Sequence, residues 1–298
     1  MYRFTLKVDF MGQTLVYGVL NGTVYAMIAL GIALVFGIMK YLNLAYGSLI
    51  IIGAYGSLFL FRIGVDPFAS IPVILVTLFF GGAILYKLFF SRLIELPEGE
   101  KIKNSLLIGF GLMNVFDNLA FIIWTGNERS LTPTYSGVTF EILDLRIPLI
   151  GLIGGLIAFF LITILHLLLS KTYFGTSVMA VSQDHEAAGL MGVNVNRTYL
   201  ISFGISVGLA SIPSVLIGLQ SFSATSGMQW FNKGIVVVML SGMGNIYAVF
   251  PAGLFLGIIE ALSVFLFGAT YREVTGLVVF LLVLILFPRG LMGKRIES

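Results

Sequence analysis

Cysteine is absent from this chain of 298 residues, and histidine occurs only at His166 and His185. The missing cysteines exclude a disulfide framework, a thiolate nucleophile and a zinc–cysteine site, and two histidines are too few for a histidine-rich metal site. The sequence G-x-x-x-x-G-K-[ST] is also missing, so the chain cannot hydrolyse ATP by the P-loop route. Without G-x-S-x-G, H-E-x-x-H or a His-Asp-Ser set, we expect no catalytic site, no metal and no cofactor.

Charged residues are scarce as well, at 10% of the chain against about 25% in soluble domains. Hydrophobic residues make up 58%, and the mean hydropathy is +1.03. This composition excludes a soluble globular domain and a disordered chain, and it requires many membrane spans. The net charge of +3 is small, and it needs no nucleic acid partner to explain it, because basic residues beside spans usually set orientation.

A membrane-spanning helix needs about 20 apolar residues, and the chain supplies eight or nine such segments. We therefore predict an all-α, polytopic integral membrane protein that forms a single domain over residues 1–298. The predicted spans are 12–37, 45–61, 69–90, 104–124, 147–169, 199–222, 233–244, 246–268 and 272–288. The seventh is too short to cross as a plain helix and ends in Ser241-Gly-Met-Gly-Asn245, which predicts a broken or re-entrant segment near 233–245. The first apolar run lacks a small-residue cleavage site, which predicts a retained span.

Basic residues are unevenly distributed between the two sides of these spans. One side has ten: Lys40, Lys87, Arg92, Lys101, Lys103, Lys171, Arg197, Arg289, Lys294 and Arg295. The other has seven: Arg3, Lys7, Arg62, Arg129, Arg146, Lys233 and Arg272. The positive-inside rule then predicts a cytoplasmic loop 171–198 and a cytoplasmic C-terminus, and nine crossings would put the N-terminus outside. The segment 125–146 would be external, either as a small hairpin or cap around Val138 to Leu145 or as a plain connection.

The polar loop 171–198 has the pattern of a short exposed helix. Ser182 is a candidate cap, Asp184 and Glu186 fall in the first turn, and Gly192 ends the helix. Ala187, Ala188 and Met191 would give it a small apolar face suited to a groove on another protein. The alternative is an amphipathic helix on the membrane surface, which would favour Lys, Arg, Trp or Phe. The helix has none of these, so we favour docking.

Glu186-Ala187-Ala188-x3-Gly192 resembles the loop with which ABC importer permeases dock on their ATPase subunits, although the Ile-x-Leu-Pro tail of the longer pattern is missing. Other stretches are similar to branched-chain amino acid ABC permeases, in the family's order and over nearly the whole chain. They are Asn21-Gly-Thr-Val-Tyr-Ala-Met-Ile-Ala-Leu-Gly31, Val35-Phe-Gly37, Leu42-Asn-Leu-Ala-Tyr-Gly-Ser48, Gln183-Asp184, Gly242-Met-Gly-Asn245, Gly253 to Glu260 and Phe287-Pro-Arg-Gly-Leu-Met-Gly293. The resemblance is closer to the permease usually given as the first of a pair.

The resemblance implies the permease subunit of a prokaryotic importer for branched-chain or related small polar amino acids. It also implies separate ABC ATPase subunits, a second permease (a copy or a paralogue) and an extracellular or periplasmic binding protein that delivers the small-molecule substrate. The implied ATPase-coupling residues are Asp184, Glu186, Ala187, Ala188 and Gly192. The chain departs from the family at Tyr46-Gly47-Ser48, where His-Gly-Glu is frequent. If these positions touch the substrate or gate its route, the ligand differs from a branched-chain amino acid.

A polar side chain inside a span is costly to expose to lipid, so it is expected to face the interior of the bundle. Such residues are therefore candidates for a translocation route. Asn114, Asp117 and Asn118 are spaced to share one helix face, and Asp117 either lines the route or holds a bend. Glu260, in the middle of the eighth span, has the same two interpretations. The other candidates are Asn21, Thr23, Asn43, Tyr46 and Ser241, whereas His166 is expected at the membrane interface.

Two patterns suggest how the spans are arranged. The stretches 43–48 and 244–248 both interrupt apolar runs, at roughly corresponding places of two related halves. Glycine pairs at Gly18/Gly22, Gly151/Gly155, Gly204/Gly208 and Gly253/Gly257 predict close helix packing. The alternative to an importer subunit is a self-sufficient secondary transporter or channel for a small polar solute such as urea or an amide, driven through Asp117 and Glu260.

Overall fold

The computed structural model describes residues 2–142, 145–242, 244–287 and 290. The α-helices are α1 (Tyr2–Met39), α2 (Tyr46–Arg62), α3 (Ile71–Leu85), α4 (Glu98–Trp124), α5 (Leu149–Lys171), α6 (Tyr173–Gln183), α7 (His185–Leu190), α8 (Val195–Leu209), α9 (Ser211–Gly218), α10 (Gly227–Ser241), α11 (Val249–Phe267) and α12 (Arg272–Leu286). A π-helical turn, Tyr86–Phe90, and a 3-10 turn, Ser91–Glu95, extend α3, and 3-10 turns at Ile246–Ala248 and Ala269–Tyr271 precede α11 and α12. Strands β1 (Thr139–Ile142) and β2 (Leu145–Pro148) form an antiparallel hairpin.

Seven helical segments of the described chain are long and apolar enough to cross a membrane, and α2 is a shorter apolar helix. This confirms the predicted polytopic all-α membrane fold. Each predicted span coincides with a helix, but some bounds differ. Helix α1 begins at Tyr2 instead of residue 12, α9 ends at Gly218 instead of 222, and α10 begins at Gly227 instead of 233.

Helix α1 forms the centre of the bundle because its sequence is apolar on every side, as in helices surrounded by protein. Every residue from Gly22 to Phe36 is buried. With 38 residues it is about 57 Å long, at 1.5 Å per residue. Its main neighbours are α11, α10 and α8.

The bundle has two distinct ends. At the hairpin end, Gln13 of α1 and the backbone of Arg146 on β2 form two hydrogen bonds of 2.7 and 2.9 Å. The other end, called the loop end, carries the polar loop 171–198. Helix α1 ends there, and the Tyr41 ring packs on Tyr199 of α8 with 6.2 Å between ring centroids. Helix α7 also lies at the loop end, where His185 and Met39 line one cavity. Of the two predicted alternatives, the hairpin is therefore present; it starts one residue later and ends three residues later than expected. Residues 143 and 144 of its turn lie outside the described residues.

Glycine pairs bring α1 and α11 into backbone contact. A Cβ atom on Gly257 would lie 2.4 Å from the Gly18 carbonyl oxygen and 2.5 Å from the Gly22 Cα. A Cβ on Gly22 would lie 2.7 Å from the Gly253 carbonyl oxygen. Two of the predicted pairs therefore pack on each other, which the sequence alone did not indicate.

The other two predicted glycine pairs differ from each other. Gly204 and Gly208 of α8 both pack against Phe79 of α3. Gly151 of α5 faces Leu20, but a Cβ on Gly155 would meet no described atom within 4 Å. Within the part of the chain that the structure describes, the predicted close packing is therefore seen at Gly151 and not at Gly155.

Helices α2 and α10 are half-helices that begin at the same place inside the bundle. Their 17 and 15 residues span about 25 and 22 Å, which is less than the hydrocarbon core of about 30 Å. A Cβ on Gly47 of α2 would lie 2.2 Å from the carbonyl oxygen of Gly227 on α10. From this contact α2 runs toward the hairpin end, where Tyr55 stacks on Trp124, and α10 runs toward the loop end.

Several backbone groups of the irregular segments before the half-helices form hydrogen bonds, which a polar backbone inside a membrane protein requires. In the first segment, the Leu42 amide donates to the Ser105 hydroxyl at 2.9 Å, and the Ala45 amide donates to the Asn43 side chain. In the second, Phe222 and Arg129 exchange two backbone hydrogen bonds of 2.8 and 3.0 Å.

The helices around these segments form two halves of opposite direction. Helix α10 runs parallel to α1, with Trp230 beside Tyr25 and Gly244 beside Gly37. Helix α9 runs parallel to α2 and therefore opposite to α1. Halves of opposite direction are typical of transporters with inverted repeats. The irregular segments 40–45 and 219–226 each precede a half-helix, and the suggested correspondence of 43–48 with 244–248 stays a prediction.

Candidate coupling loop and translocation route

Helix α7 starts at a side-chain cap. The Asp184 carboxylate accepts hydrogen bonds from the amides of Glu186 and Ala187 at 2.9 and 3.0 Å. The bonds from Ala187 and Glu186 lower the pKa of Asp184, so it is charged at neutral pH. Ser182, the predicted cap, instead donates to the Met179 carbonyl within α6. The cap is Asp184 because a kink between α6 and α7 puts its backbone in an extended conformation.

The face that α7 presents to solvent differs from the predicted one. Leu190 and Met191 are 90% and 86% exposed, and Glu186 and Ala187 are also exposed. Ala188 is buried under the helix, so it supports α7 from the inside. Leu190 was not among the residues predicted for this face, although its position three residues after Ala187 puts both on one side of the helix.

Gly192 ends α7 in a backbone conformation that favours glycine. Its φ is +89°, and its amide donates to the Gly189 carbonyl at 3.0 Å. The Val193 amide returns to the Ala188 carbonyl at 3.0 Å. This is a glycine C-cap, so a side chain at position 192 would strain the end of α7.

The inner side of α7 contacts the first turn of α4. The Lys101 ammonium, almost fully buried, lies 3.4 Å from Nε2 of His185. Around this contact is a cavity of about 300 Å³, whose lining includes Lys40, Glu98 and Glu186. A displacement of α7 would therefore reach α4 directly through Lys101.

Among the predicted route residues, Asn21 and Thr23 line a cavity of about 280 Å³ between α1, α5 and α9. The Thr23 hydroxyl is bonded to the Val19 carbonyl of its own helix at 2.9 Å. The walls are partly apolar, as at Leu216, but Gln220 also lines the cavity. Asn21, which was predicted, and Gln220, which was not, have side-chain amides that can offer hydrogen bonds there.

Three other candidates are buried and engaged within the fold. Asn43 caps the turn before α2, as described above. The Tyr46 hydroxyl donates to the Ser206 carbonyl at 3.3 Å, and the Ser241 hydroxyl donates to Val238 at 2.8 Å. These bonds account for the three polar side chains without a solute.

The three polar residues of α4 share one side of the helix, but their surroundings differ. Asn114 and Asn118 are exposed, and their amide groups donate to carbonyls of the preceding turn, Phe110 and Asn114, at 2.8 and 2.7 Å. Asp117 is partly buried beside Ser48. Its buried Oδ1 has no partner within hydrogen-bonding geometry in the described chain.

Glu260 of α11 is held by side chains from three other helices. Its carboxylate forms ion pairs with Lys233 of α10 and with Arg272 of α12, the latter at 3.1 Å, and it accepts a hydrogen bond from the Tyr25 hydroxyl of α1 at 2.8 Å. The Arg272 guanidinium also donates to the Tyr25 hydroxyl at 2.8 Å. Glu260 thus has cationic partners, whereas the sequence suggested only a choice between the route and a bend.

The partners of Glu260 were not recognised from the sequence. Lys233 and Arg272 were counted there as orientation signals, and Tyr25 was one aromatic residue in an apolar span. A signal was available for Lys233, because a lysine within an apolar run needs a counter-charge. The separation of Tyr25 and Glu260 by 235 positions hides the pairing from any local pattern. His166, expected at the interface, lies beside Tyr247 at 5.1 Å between centroids.

The chain is similar to permeases of amino acid transport systems. The family described as "Branched-chain amino acid transport system / permease component" matches residues 14–287. The high-affinity branched-chain amino acid transport system permease protein BraD of Pseudomonas aeruginosa is 27% identical over 297 residues, and the match covers 95% of each chain. LivH of Escherichia coli, with the same description, is 26% identical over 298 residues and 95% of each chain. The probable branched-chain amino acid transport permease protein LivH of Methanocaldococcus jannaschii is 26% identical over 291 residues, covering 92% of this chain and 90% of the relative. No solved structure matches the chain.

Proposed function

The chain belongs to the family of branched-chain amino acid transport system permease components, and from this membership we propose that it is the membrane subunit of an ATP-driven importer. Its solute is a branched-chain or related small polar amino acid, and it performs no catalysis itself. Because the sequence has no P-loop, separate ABC ATPase subunits supply the energy. The relatives named above support the solute class.

The observation that carries the proposal is the exposed tip of α7. Leu190 and Met191 are almost fully exposed at the end of a helix that is capped at both ends. Large apolar side chains on a short rigid helix are typical of a helix that inserts in a groove on another protein. The ATPase subunit is the partner that an importer without its own ATP site requires.

The other partners follow from the same role. A second permease, either a copy or a paralogue, completes the passage, and an extracellular or periplasmic binding protein delivers the solute at the hairpin end. The protein lies in the plasma or inner membrane, with the loop end in the cytoplasm. The C-terminal tail 289–298, also expected to be cytoplasmic, lies outside the described residues except for Gly290.

The docking role predicts that changes at the tip of α7 uncouple ATP hydrolysis from uptake. Leu190→Ala with Met191→Ala should reduce ATP-driven leucine uptake about tenfold, since the loss of two interface anchors costs at least ~1.4 kcal/mol of docking free energy. Glu186→Ala and Gly192→Ala should act in the same direction. Uptake is measured in proteoliposomes that contain the complete transporter at matched permease content.

The matched control is Leu167→Ala, the same change at an exposed position of α5, which should leave uptake unchanged. Normal coupled uptake by both the Glu186 and the Gly192 variants would contradict docking through α7. A general loss of membrane insertion is recognised separately, because it would reduce the permease content of the vesicles.

The alternative function, a self-sufficient secondary transporter, would need acidic side chains able to bind and release a cation. Glu260 is poorly suited to this, because Lys233 and Arg272 already neutralise it. Asp117 keeps this alternative open through its unpaired buried oxygen. Uptake by the chain alone, without ATPase subunits, would favour the alternative over the importer.

A further inference from the structure

A second cavity, the α10–α12 cavity, lies between α10, α11 and α12 and has a volume of about 380 Å³. This volume is within the range of small-molecule sites, about 300–1,000 Å³. Its lining includes Gln229 and Asn232 from the first turns of the half-helix α10. Both side chains are exposed in the single chain. Polar side chains within a membrane-spanning bundle are tolerated when they face a water-filled cavity or another protein.

Charges of both signs face this cavity. Lys233 and Glu260 line it, and so does Glu273, an exposed residue in the first turn of α12. An ammonium group has three N–H donors, and the Lys233 ammonium uses one of them on Glu260. Its side chain is 18% exposed, whereas that of Glu260 is 1% exposed. The lysine can therefore reach an anion in the cavity, whereas Glu260 is enclosed.

The ion pairs around Glu260 leave one positive charge over. Arg272 alone suffices to neutralise the buried carboxylate, and Lys233 adds a second cation. An extra cation in a low-dielectric environment is costly unless water or an anion compensates it. Glu273 lines the same cavity, and the described residues include no ion pair between it and Lys233. These two separate opposite charges favour a ligand that carries both an anionic and a cationic group.

The remaining wall is apolar. Met239, Leu256 and Phe280 line it, and they could enclose an aliphatic side chain. Gly276 keeps α12 close, because a Cβ there would lie 3.0 Å from Oε1 of Glu260. The cavity thus combines a cation, an anion and an apolar surface within one small volume.

We propose that the α10–α12 cavity is a subsite for a zwitterionic amino acid with an apolar side chain. Lys233 binds the carboxylate of the solute, Glu273 binds its ammonium group, and the wall of Met239, Leu256 and Phe280 accepts its side chain. This assignment rests on the proposed importer function and adds the place where the permease itself holds the solute. The cavity beside Asn21 and Thr23 fits such a solute less well, because no Lys, Arg, Asp or Glu is among its described lining residues.

The absence of cysteine allows a direct test. Met239→Cys puts one thiol on the wall of the α10–α12 cavity, and Asn21→Cys puts one in the other cavity. Each variant is assembled with its ATPase and binding-protein partners in proteoliposomes, and the modification of this chain by a small maleimide is followed by mass spectrometry. We expect 10 mM leucine to slow modification at least fivefold in the Met239→Cys variant, with no slowing in the Asn21→Cys variant.

Adding Glu273→Gln to Met239→Cys should abolish the protection by leucine, whereas adding Glu141→Gln, a change on the distant hairpin, should preserve it. The assignment is overturned if leucine protects only the Asn21→Cys thiol or neither thiol. It is also overturned if protection follows the anionic lipid content of the vesicles instead of leucine, which would indicate a lipid head group. The proposed function is tested apart from this, by leucine uptake in the same vesicles with the wild-type chain.

Discussion

At the scale of single residues, Glu260 joins more of the fold than any local pattern suggests. The Glu260 side chain is only 1% exposed, and its carboxylate links α11 to α1, α10 and α12. Removal of the carboxylate charge would leave Lys233 and Arg272 facing each other without compensation. Removing one partner of a buried ion pair typically lowers the free energy of unfolding by about 3–5 kcal/mol.

We therefore predict that Glu260→Gln lowers the unfolding temperature of the purified chain by several degrees, with a loss of about 3 kcal/mol or more in stability. Thermal unfolding in detergent, followed by intrinsic fluorescence, measures the shift. Glu141→Gln is the matched control, since Glu141 pairs with Arg146 on the surface of the hairpin with 65% of its side chain exposed. An exposed pair contributes about 0–1 kcal/mol. Equal shifts for the two variants would contradict the central role of Glu260.

The same ion pairs change the count of orienting charges. Lys233 and Arg272 were counted on the side with seven basic residues, but both pair with Glu260. Without these two, five basic residues remain on that side against ten on the other. The charge bias that favours a cytoplasmic loop end is therefore stronger than the sequence count suggested.

At the scale of helices, the backbone contact between α1 and α11 fixes the centre of the bundle. A methyl group on Gly257 would overlap Gly18 and Gly22 backbone atoms at 2.4 to 2.5 Å. Because backbone atoms cannot rotate away as a side chain can, the two helices would have to separate.

Gly257→Ala is predicted to destabilise the fold by about 1–3 kcal/mol and to lower the yield of monodisperse protein from membranes. Gly155→Ala offers the matched control, since the space around Gly155 is open and the helix propensity of alanine is higher. Size-exclusion chromatography after heating the two variants in parallel compares them. Similar losses at both positions would show that helix packing does not limit stability at Gly257.

The bounds of the helices could be predicted well where a run of apolar residues sets them. They were predicted less well where contacts with a distant part of the chain set them. Helix α10 was predicted to begin at 233, but it begins at Gly227 and includes Gln229 and Asn232, two polar residues that line a cavity. Span six was predicted to reach 222, because nothing local shows that Phe222 pairs with Arg129 in an extended conformation.

The candidate sites show the same division. The short α7 helix and its glycine end could be predicted from nearby residues, since caps are local interactions. Its exposed tip required knowledge of which side of α7 packs inward, which Ala188 reveals only in the structure. The α10–α12 cavity could not be predicted, because Lys233 and Glu273 belong to helices whose approach depends on the whole bundle.

At the scale of the whole molecule, the hairpin and α7 lie at opposite ends of the bundle, and this separation predicts opposite accessibility. In intact cells that express the permease without its ATPase, a membrane-impermeant maleimide should label a Ser136→Cys variant and spare a Met191→Cys variant. Both positions are exposed, and the chain has no other thiol. Permeabilised cells provide the control, in which both variants should react. Labelling of the Met191→Cys variant in intact cells would reverse the orientation.

The meeting point of α2 and α10 has one more consequence. Gly47 and Gly227 touch through peptide groups alone, and a methyl group on Gly47 would approach the opposite carbonyl to 2.2 Å. The Phe231 side chain of α10 lies at the same contact, since the methyl group would approach its Cβ to 2.9 Å. Any residue larger than glycine at position 47 would therefore push the starts of the two half-helices apart, whatever solute the protein carries.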